Sequence, residues 1–197
     1  MNRREFITTL SAISLIGCAG DGANPEFRNT DLSAGKIFPS ANLLDNSGRP
    51  RNFEEFRGKV LIVLFGYTSC PDICPGTLRK YASLMRTLRN QESEKIQVLF
   101  ITVDPERDTP AHTDTYVKWF NKSFIGLSGN TQQIADVAQQ FKVIYSKQAV
   151  EGGMGYVIDH SAGAYVIDPK GQLRLTFAEN ALLEPIAADL RVLLDGK

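Results

Sequence analysis

An α/β fold, with a central mixed β-sheet flanked by helices and finished by a C-terminal β-hairpin and helix, is what this 197-residue sequence predicts. Three observations carry the prediction. Two continuous apolar runs, 59–65 and 96–103, have the length and composition of strands buried on both faces. The segments between and after them place apolar residues at three- and four-residue spacing, the period of amphipathic helices. Towards the end, two short strand-like runs flank the turn Pro169-Lys170-Gly171.

The elements follow in order. Residues 1–17 have a charged start, a short apolar run and then small residues, the layout of an export signal peptide. The run is shorter than the roughly 20 residues a membrane-spanning helix needs. Leu15-Ile16-Gly17-Cys18 resembles a lipobox, where a bacterial precursor is cleaved and lipidated at Cys18. Arg3-Arg4-Glu5-Phe6-Ile7 resembles a twin-arginine export motif, with an ordinary Sec signal as the other reading. Residues 18–33 then read as the lipidated Cys and a flexible tether, small, polar and turn-prone. The chain has three cysteines, an odd number for an exported protein; lipid on Cys18 leaves Cys70 and Cys74 as a pair. The expected location is the periplasmic side of the bacterial cell envelope, as a membrane-anchored lipoprotein.

Residues 34–197 read as one domain. Strand 59–65 leads through a turn into a helix over about 74–90, with Leu78, Tyr81, Ala82, Met85 and Leu88 on one stripe. Strand 96–103 follows. Thr109 is the N-cap and Pro110 the first residue of a helix reaching about 121. A helix over about 131–141, hairpin strands 164–168 and 173–177, and a closing amphipathic helix over about 181–194 complete the chain. The order βαβα…ββα, with a cysteine pair in the turn after the first central strand, describes a thioredoxin-like domain.

Composition narrows the function classes. Hydrophobic residues make up 43% and charged residues 22%, enough to bury a core. Lys plus Arg equals Asp plus Glu at 22 each, so the counterion-displacing basic surface of a nucleic-acid binder is not expected.

The chemistry concentrates at Cys70-Pro71-Asp72-Ile73-Cys74. A helix N-terminus lowers the pKa of a thiol placed there. Residues four apart on a helix share a face, with Cβ atoms about 5–6 Å apart. Two sulfurs so placed can share a metal ion or close into a disulfide. Thiolates favour Cu(I), zinc and iron–sulfur clusters, but two cysteines need a third ligand from elsewhere. The chain has two histidines. His112 falls early in a helix and is expected at the surface. His160 precedes strand 164–168, in a loop that runs beside the cysteine turn in a thioredoxin-like fold, and is the candidate ligand.

Gly66-Tyr67-Thr68-Ser69-Cys70-Pro71-Asp72-Ile73-Cys74-Pro75, Val103-Asp104-Pro105-Glu106-Arg107-Asp108-Thr109-Pro110 and Asp159-His160-Ser161-Ala162 resemble the three hallmark stretches of the Sco/SenC family. The resemblance spans roughly 35–195. It implies copper bound by Cys70, Cys74 and His160. It also implies a metallochaperone that delivers copper to the copper A centre of cytochrome c oxidase, or reduces the thiols of that centre. Other periplasmic copper chaperones or thiol reductants are further implied partners. Gly76 departs from the family pattern, where a polar or bulkier residue is expected, and is a place where the first helical turn is open to loosening.

Two thiolates and an imidazole suit three-coordinate Cu(I); Cu(II) prefers tetragonal geometry and calls for a further ligand. Asp72 is open to two readings, tuning the site or capping the helix. Asp159 is either a partner orienting the His160 ring or an ordinary strand-end residue. Met154, a soft thioether in the stretch Glu151-Gly152-Gly153-Met154-Gly155 that reads as a flexible loop, is a candidate transient copper contact. The stretch 104–110 reads as a charged turn feeding a capped helix, or as a docking element. Phe65 and Tyr67 read as packing residues rather than electron-transfer groups. The rival function is a membrane-anchored thiol–disulfide oxidoreductase on the same fold. Against it stand three residues between the cysteines rather than the two of thioredoxin-type motifs, and His160-Ser161 where thioredoxins carry a cis proline. The His160 loop is expected to be mobile, as ligand exchange requires.

Overall fold

The computed structural model describes residues 26–151 and 155–196. The signal peptide, Cys18, the first part of the tether and Met154 lie outside the described residues. In chain order the elements are β1 (Thr30–Asp31), β2 (Leu43–Leu44), β3 (Pro50–Arg51), β4 (Val60–Gly66), α1 (Ile73–Thr87), α2 (Asn90–Ser93) and β5 (Ile96–Thr102). They continue with α3 (Pro110–Lys118), β6 (Ile125–Leu127), α4 (Thr131–Gln140), β7 (Tyr145–Ala149), β8 (Tyr156–His160), β9 (Ala164–Ile167), β10 (Leu173–Phe177) and α5 (Leu183–Leu194). Among the described residues, no helix is long and apolar enough to cross a membrane.

A six-stranded mixed sheet runs in the order β1-β10-β9-β4-β5-β6. Strands β4, β5 and β6 are parallel, while β9, β10 and β1 continue the sheet antiparallel from the other side of β4. All seven residues of β4 are buried, as its unbroken apolar run requires of a strand covered on both faces. Its register with β5 runs from Val60 opposite Ile96 to Gly66 opposite Thr102, so the C-terminal ends of both strands lie side by side. Loops leaving such ends are where open α/β sheets place their sites. On one face Phe65 meets Phe141 and Tyr165, at ring-centroid distances of 5.3 and 6.0 Å; it is a packing residue, as its sequence context indicates. Helix α1 buries Leu78, Tyr81, Ala82 and Leu84, with Met85 half-buried against the same core.

Several boundaries differ from the sequence reading. Helix α1 stops at Thr87, because Leu88 turns to extended geometry and Asn90–Ser93 make a separate turn. That turn is held by Glu92, whose carboxylate accepts from the Arg89 amide at 2.9 Å and from Arg191 of α5 at 3.0 Å. Helix α3 ends at Lys118 rather than near 121; its start, with Thr109 as N-cap and Pro110 in the first position, is as read. Strand β6 has only three residues, too few to show a period. Its Gly126 is required by packing, since a Cβ there would stand 2.5 Å from the Asp114 nitrogen of α3.

Part of the segment read as tether, residues 28–31, packs against the domain. Thr30–Asp31 pair with β10, and the buried Asp189 carboxylate accepts from the Arg28 and Asn29 amides at 2.9 and 3.0 Å. A tether-like composition there conceals a segment whose backbone finds partners far along the chain.

The segment around His160 is also more regular than a loop. Strands β7 and β8 form their own two-stranded antiparallel ladder, and His160 is the last residue of β8, opposite Tyr145. Four of the five β7 residues are exposed, so the hairpin carries no apolar alternation to announce it.

Candidate metal centre

The site forms where β4 ends. The chain leaves Gly66 through a tight turn, with the Cys70 amide donating to the Tyr67 carbonyl at 3.2 Å, and enters α1 at Ile73. Cys74, the second residue of α1, is buried beneath the turn, and Cys70 is half-buried above it. Gly66 makes this arrangement possible: a Cβ at that position would lie 2.6 Å from the Cys74 sulfur and 2.9 Å from the Phe100 ring.

A wholly buried carboxylate pins the turn from below. Asp108 accepts from the Thr68 amide at 2.8 Å, the Thr68 hydroxyl at 2.5 Å and the Thr102 hydroxyl at 2.7 Å. It thereby joins the cysteine turn to the end of β5. Four residues earlier the equally buried Asp104 pairs with Arg107 and accepts from the Tyr156 hydroxyl at 2.7 Å. The stretch 104–110 thus turns two of its carboxylates inward before Thr109 caps α3. Burying a polar group is costly unless it is hydrogen-bonded, and both carboxylates are.

His160 arrives from β8. Its Nε2 stands 3.4 Å from the Cys74 sulfur, and its Nδ1 lies 3.2 Å from the Ser161 carbonyl oxygen. In the tautomer with the Nδ1 hydrogen donated to that carbonyl, the Nε2 lone pair would face the sulfurs, as a metal ligand needs; in the other tautomer Nε2–H donates to them. The ligand-capable atoms of Cys70, Cys74 and His160 all lie within 4.8 Å of one another. Tyr67 is buried, sets its ring edge-on to the imidazole at 6.1 Å and accepts the Ile158 amide through its hydroxyl at 3.2 Å. An open cleft of about 340 Å³ borders the site, lined by Tyr67, Cys70, Ile73, Val157 and His160 with Asp72 and Asp159 beside them.

The two sulfurs differ in charge. Cys70 is pushed down, first because the Cys74 thiol donates to it; burial opposes this, and the His160 ring and the Cys74 and Asp72 amides assist. Cys74 is pushed up, first by the neighbouring Cys70 and then by burial. The pair therefore gives up its first proton readily and holds the second, which a soft cation would release to solvent on binding both sulfurs as thiolates.

The remaining candidates fall apart from this group. Asp72 stands at the N-cap position of α1, exposed, and its side chain makes no capping bond; its backbone amide supports Cys70 instead. Asp159 is exposed, and the place it was offered at the ring nitrogen belongs to the Ser161 carbonyl. His112 is exposed on α3, with its Nδ1 4.0 Å from Asp108. Gly76 does not interrupt α1: its amide donates to the Asp72 carbonyl at 3.1 Å, and a Cβ there would meet nothing within 4 Å. Gly66, Asp108, Tyr156 and Arg107 were not singled out as parts of the site. Gly66, Arg107 and Asp108 lie inside the quoted stretches, which was their only signal; Tyr156 had none.

Fold and site together define a thioredoxin-like domain with a two-thiol, one-imidazole cluster at the sheet's C-terminal edge. The family model described as SCO1/SenC matches residues 30–195, and the chain belongs to that family. A SCO2-like protein of Rickettsia conorii is 41% identical over 138 residues, covering 70% of this chain and 67% of the relative. Among solved structures, apo Sco1 of Thermus thermophilus aligns with a TM-score of 0.76 and 36% identity, over 88% of this chain and 100% of that one. Bradyrhizobium japonicum ScoI with copper bound aligns with a TM-score of 0.72 and 35% identity, over 80% and 99%.

Proposed function

We propose that this protein is a copper-binding metallochaperone of the cell envelope that holds copper through Cys70, Cys74 and His160 and passes it to the copper A centre of cytochrome c oxidase. The observation that carries the reading is the convergence of two sulfurs and one imidazole nitrogen within 4.8 Å, at a half-open edge of the domain. The donor set fits copper: two soft thiolates and a neutral imidazole suit three-coordinate Cu(I), and one added oxygen ligand suits Cu(II). The copper-bound ScoI relative, at 35% identity, supports the same cargo. The half-buried Cys70 and His160 face the cleft, so a recipient's ligands reach the ion there and replace this chain's ligands one at a time. Lipidation at Cys18 after removal of residues 1–17 holds the domain at the periplasmic side of the membrane; the lipobox-like Leu15-Ile16-Gly17-Cys18 supports it.

A second reading, a thiol reductase, draws on the depressed Cys70 thiol. The Cys70 thiolate attacks a sulfur of the target's disulfide, forming a mixed disulfide and releasing one target thiolate. Cys74, losing its proton, displaces the second target thiol and leaves a Cys70–Cys74 disulfide, which an external thiol reductant restores.

Anaerobic copper titration of residues 24–197, reduced and against a competing chelator, separates the readings. Tight one-to-one binding lost in Cys70→Ser, with His160→Ala sparing Cu(I) more than Cu(II), supports the chaperone. Weak binding unaltered by Cys70→Ser overturns it.

A further inference from the structure

The β7–β8 hairpin carries His160 yet shares no backbone ladder with the six-stranded sheet. Side chains from the segment after β5 hold it in place. The Arg107 guanidinium lies over the Tyr156 ring, 3.7 Å from its centroid, with the Tyr67 ring 5.7 Å away. The same guanidinium pairs with buried Asp104 and donates to the Tyr156 carbonyl at 3.1 Å. The Tyr156 hydroxyl donates back to Asp104 at 2.7 Å, closing the ring of contacts. Lys147 of β7 stands 4.8 Å from the Tyr156 ring and pairs with Glu106 at 2.6 Å, so both strands of the hairpin are gripped. His160 is the fourth residue after Tyr156, and the intervening Ile158 amide is held by the Tyr67 hydroxyl.

We propose that Arg107 and Tyr156 are positioning residues whose stacked, hydrogen-bonded clamp sets the hairpin so that His160 reaches the cysteine pair. The inference rests on the reading of His160 as the third copper ligand. The contacts that make the clamp run to Asp104, Tyr67 and the hairpin backbone rather than to the sulfurs. Loss of the clamp therefore moves the imidazole and leaves the two thiolates, a change that a general loss of stability does not produce. Partners that orient metal ligands change metal affinity by about 10–100-fold when removed. Cu(II), which needs the nitrogen donor, feels the loss most.

The test compares Tyr156→Ala, Tyr156→Phe and Arg107→Gln with His160→Ala in the soluble domain. In Tyr156→Ala the Cu(II) affinity falls by about 10–100-fold, while Cu(I) affinity changes by less than about threefold. The electron paramagnetic resonance spectrum of the Cu(II) form loses its imidazole nitrogen hyperfine structure, as in His160→Ala. Tyr156→Phe keeps the stacked ring and lies between Tyr156→Ala and the parent; it also serves if Tyr156→Ala or Arg107→Gln does not fold. In the metal-free protein, the Ile158 amide exchanges with solvent faster by about tenfold or more in Tyr156→Ala. A parent-like Cu(II) spectrum together with unchanged Ile158 exchange overturns the clamp. If His160→Ala itself leaves the Cu(II) spectrum unaltered, the ligand reading fails, and the metal-free exchange then decides the clamp alone.

Discussion

Replacing Gly66 by alanine tests how the site is made. The added Cβ would stand 2.6 Å from the Cys74 sulfur and 2.9 Å from the nearer of two Phe100 ring carbons. Ordinary carbon contacts begin near 3.5 Å, so the sulfur must yield by roughly 1 Å. Strand β4 cannot retreat, because it is paired with β5 on one side and β9 on the other. Phe100 is 1% exposed and packed within the core, so its ring yields less readily than the sulfur at the edge of the site. The displacement therefore falls on Cys74, whose sulfur now stands 3.4 Å from the His160 ring nitrogen. Overpacking of this kind costs about 1–3 kcal/mol. For a domain of this size that is a fall of roughly 2–12 °C in Tm. Because the displaced atom belongs to the proposed copper site, copper affinity is expected to fall with it, by about tenfold or more. Calorimetry of the metal-free domain and chelator competition of the reduced domain read the two effects separately. Parent-like Tm and parent-like copper affinity in Gly66→Ala would refute the argument that this glycine makes room for the sulfur.

Other expectations follow from the same geometry. Asp108→Asn keeps the shape but replaces one acceptor oxygen by an NH2 donor, so the charge is lost and the Thr68 hydroxyl must turn from donating to accepting. Stability should drop by about 1–3 kcal/mol, read by urea denaturation, and a loss under about 0.5 kcal/mol would contradict the anchoring role. Iodoacetamide should modify Cys70 well before Cys74, and at pH values below those an ordinary thiol needs, because Cys70 is the depressed member of the pair; mass mapping that finds Cys74 first would reverse the assignment. The Glu92 carboxyl is held down at about 2, first by Arg89 and then by Arg191. A depressed carboxylate contributes stability above its unfolded pKa of about 4.3 and loses it as pH falls towards about 2. The stability gap between the parent and Glu92→Gln should thus be full at neutral pH and close through that window; a gap independent of pH would show that the carboxylate charge contributes nothing.

What the sequence determined by itself was whatever depends on neighbours along the chain. The runs 59–65 and 96–103 are strands because apolar continuity is a local signal, and Thr109-Pro110 starts a helix because capping is local too. Cys70 and Cys74 were legible as a pair, being one helical turn apart, and His160 because the chain has so few histidines and the three quoted stretches resemble one family. The tertiary structure decided what depends on contacts between distant residues. Thr30–Asp31 joins the sheet only because β10 offers an edge, and Tyr145–Ala149 becomes a strand only opposite Tyr156–His160. Asp104 and Asp108 look like surface charges in the sequence and are wholly buried in the fold, their cost met by Arg107, Tyr156, Thr68 and Thr102. A buried charge is defined by its partners, and those partners are assembled only when the chain closes on itself.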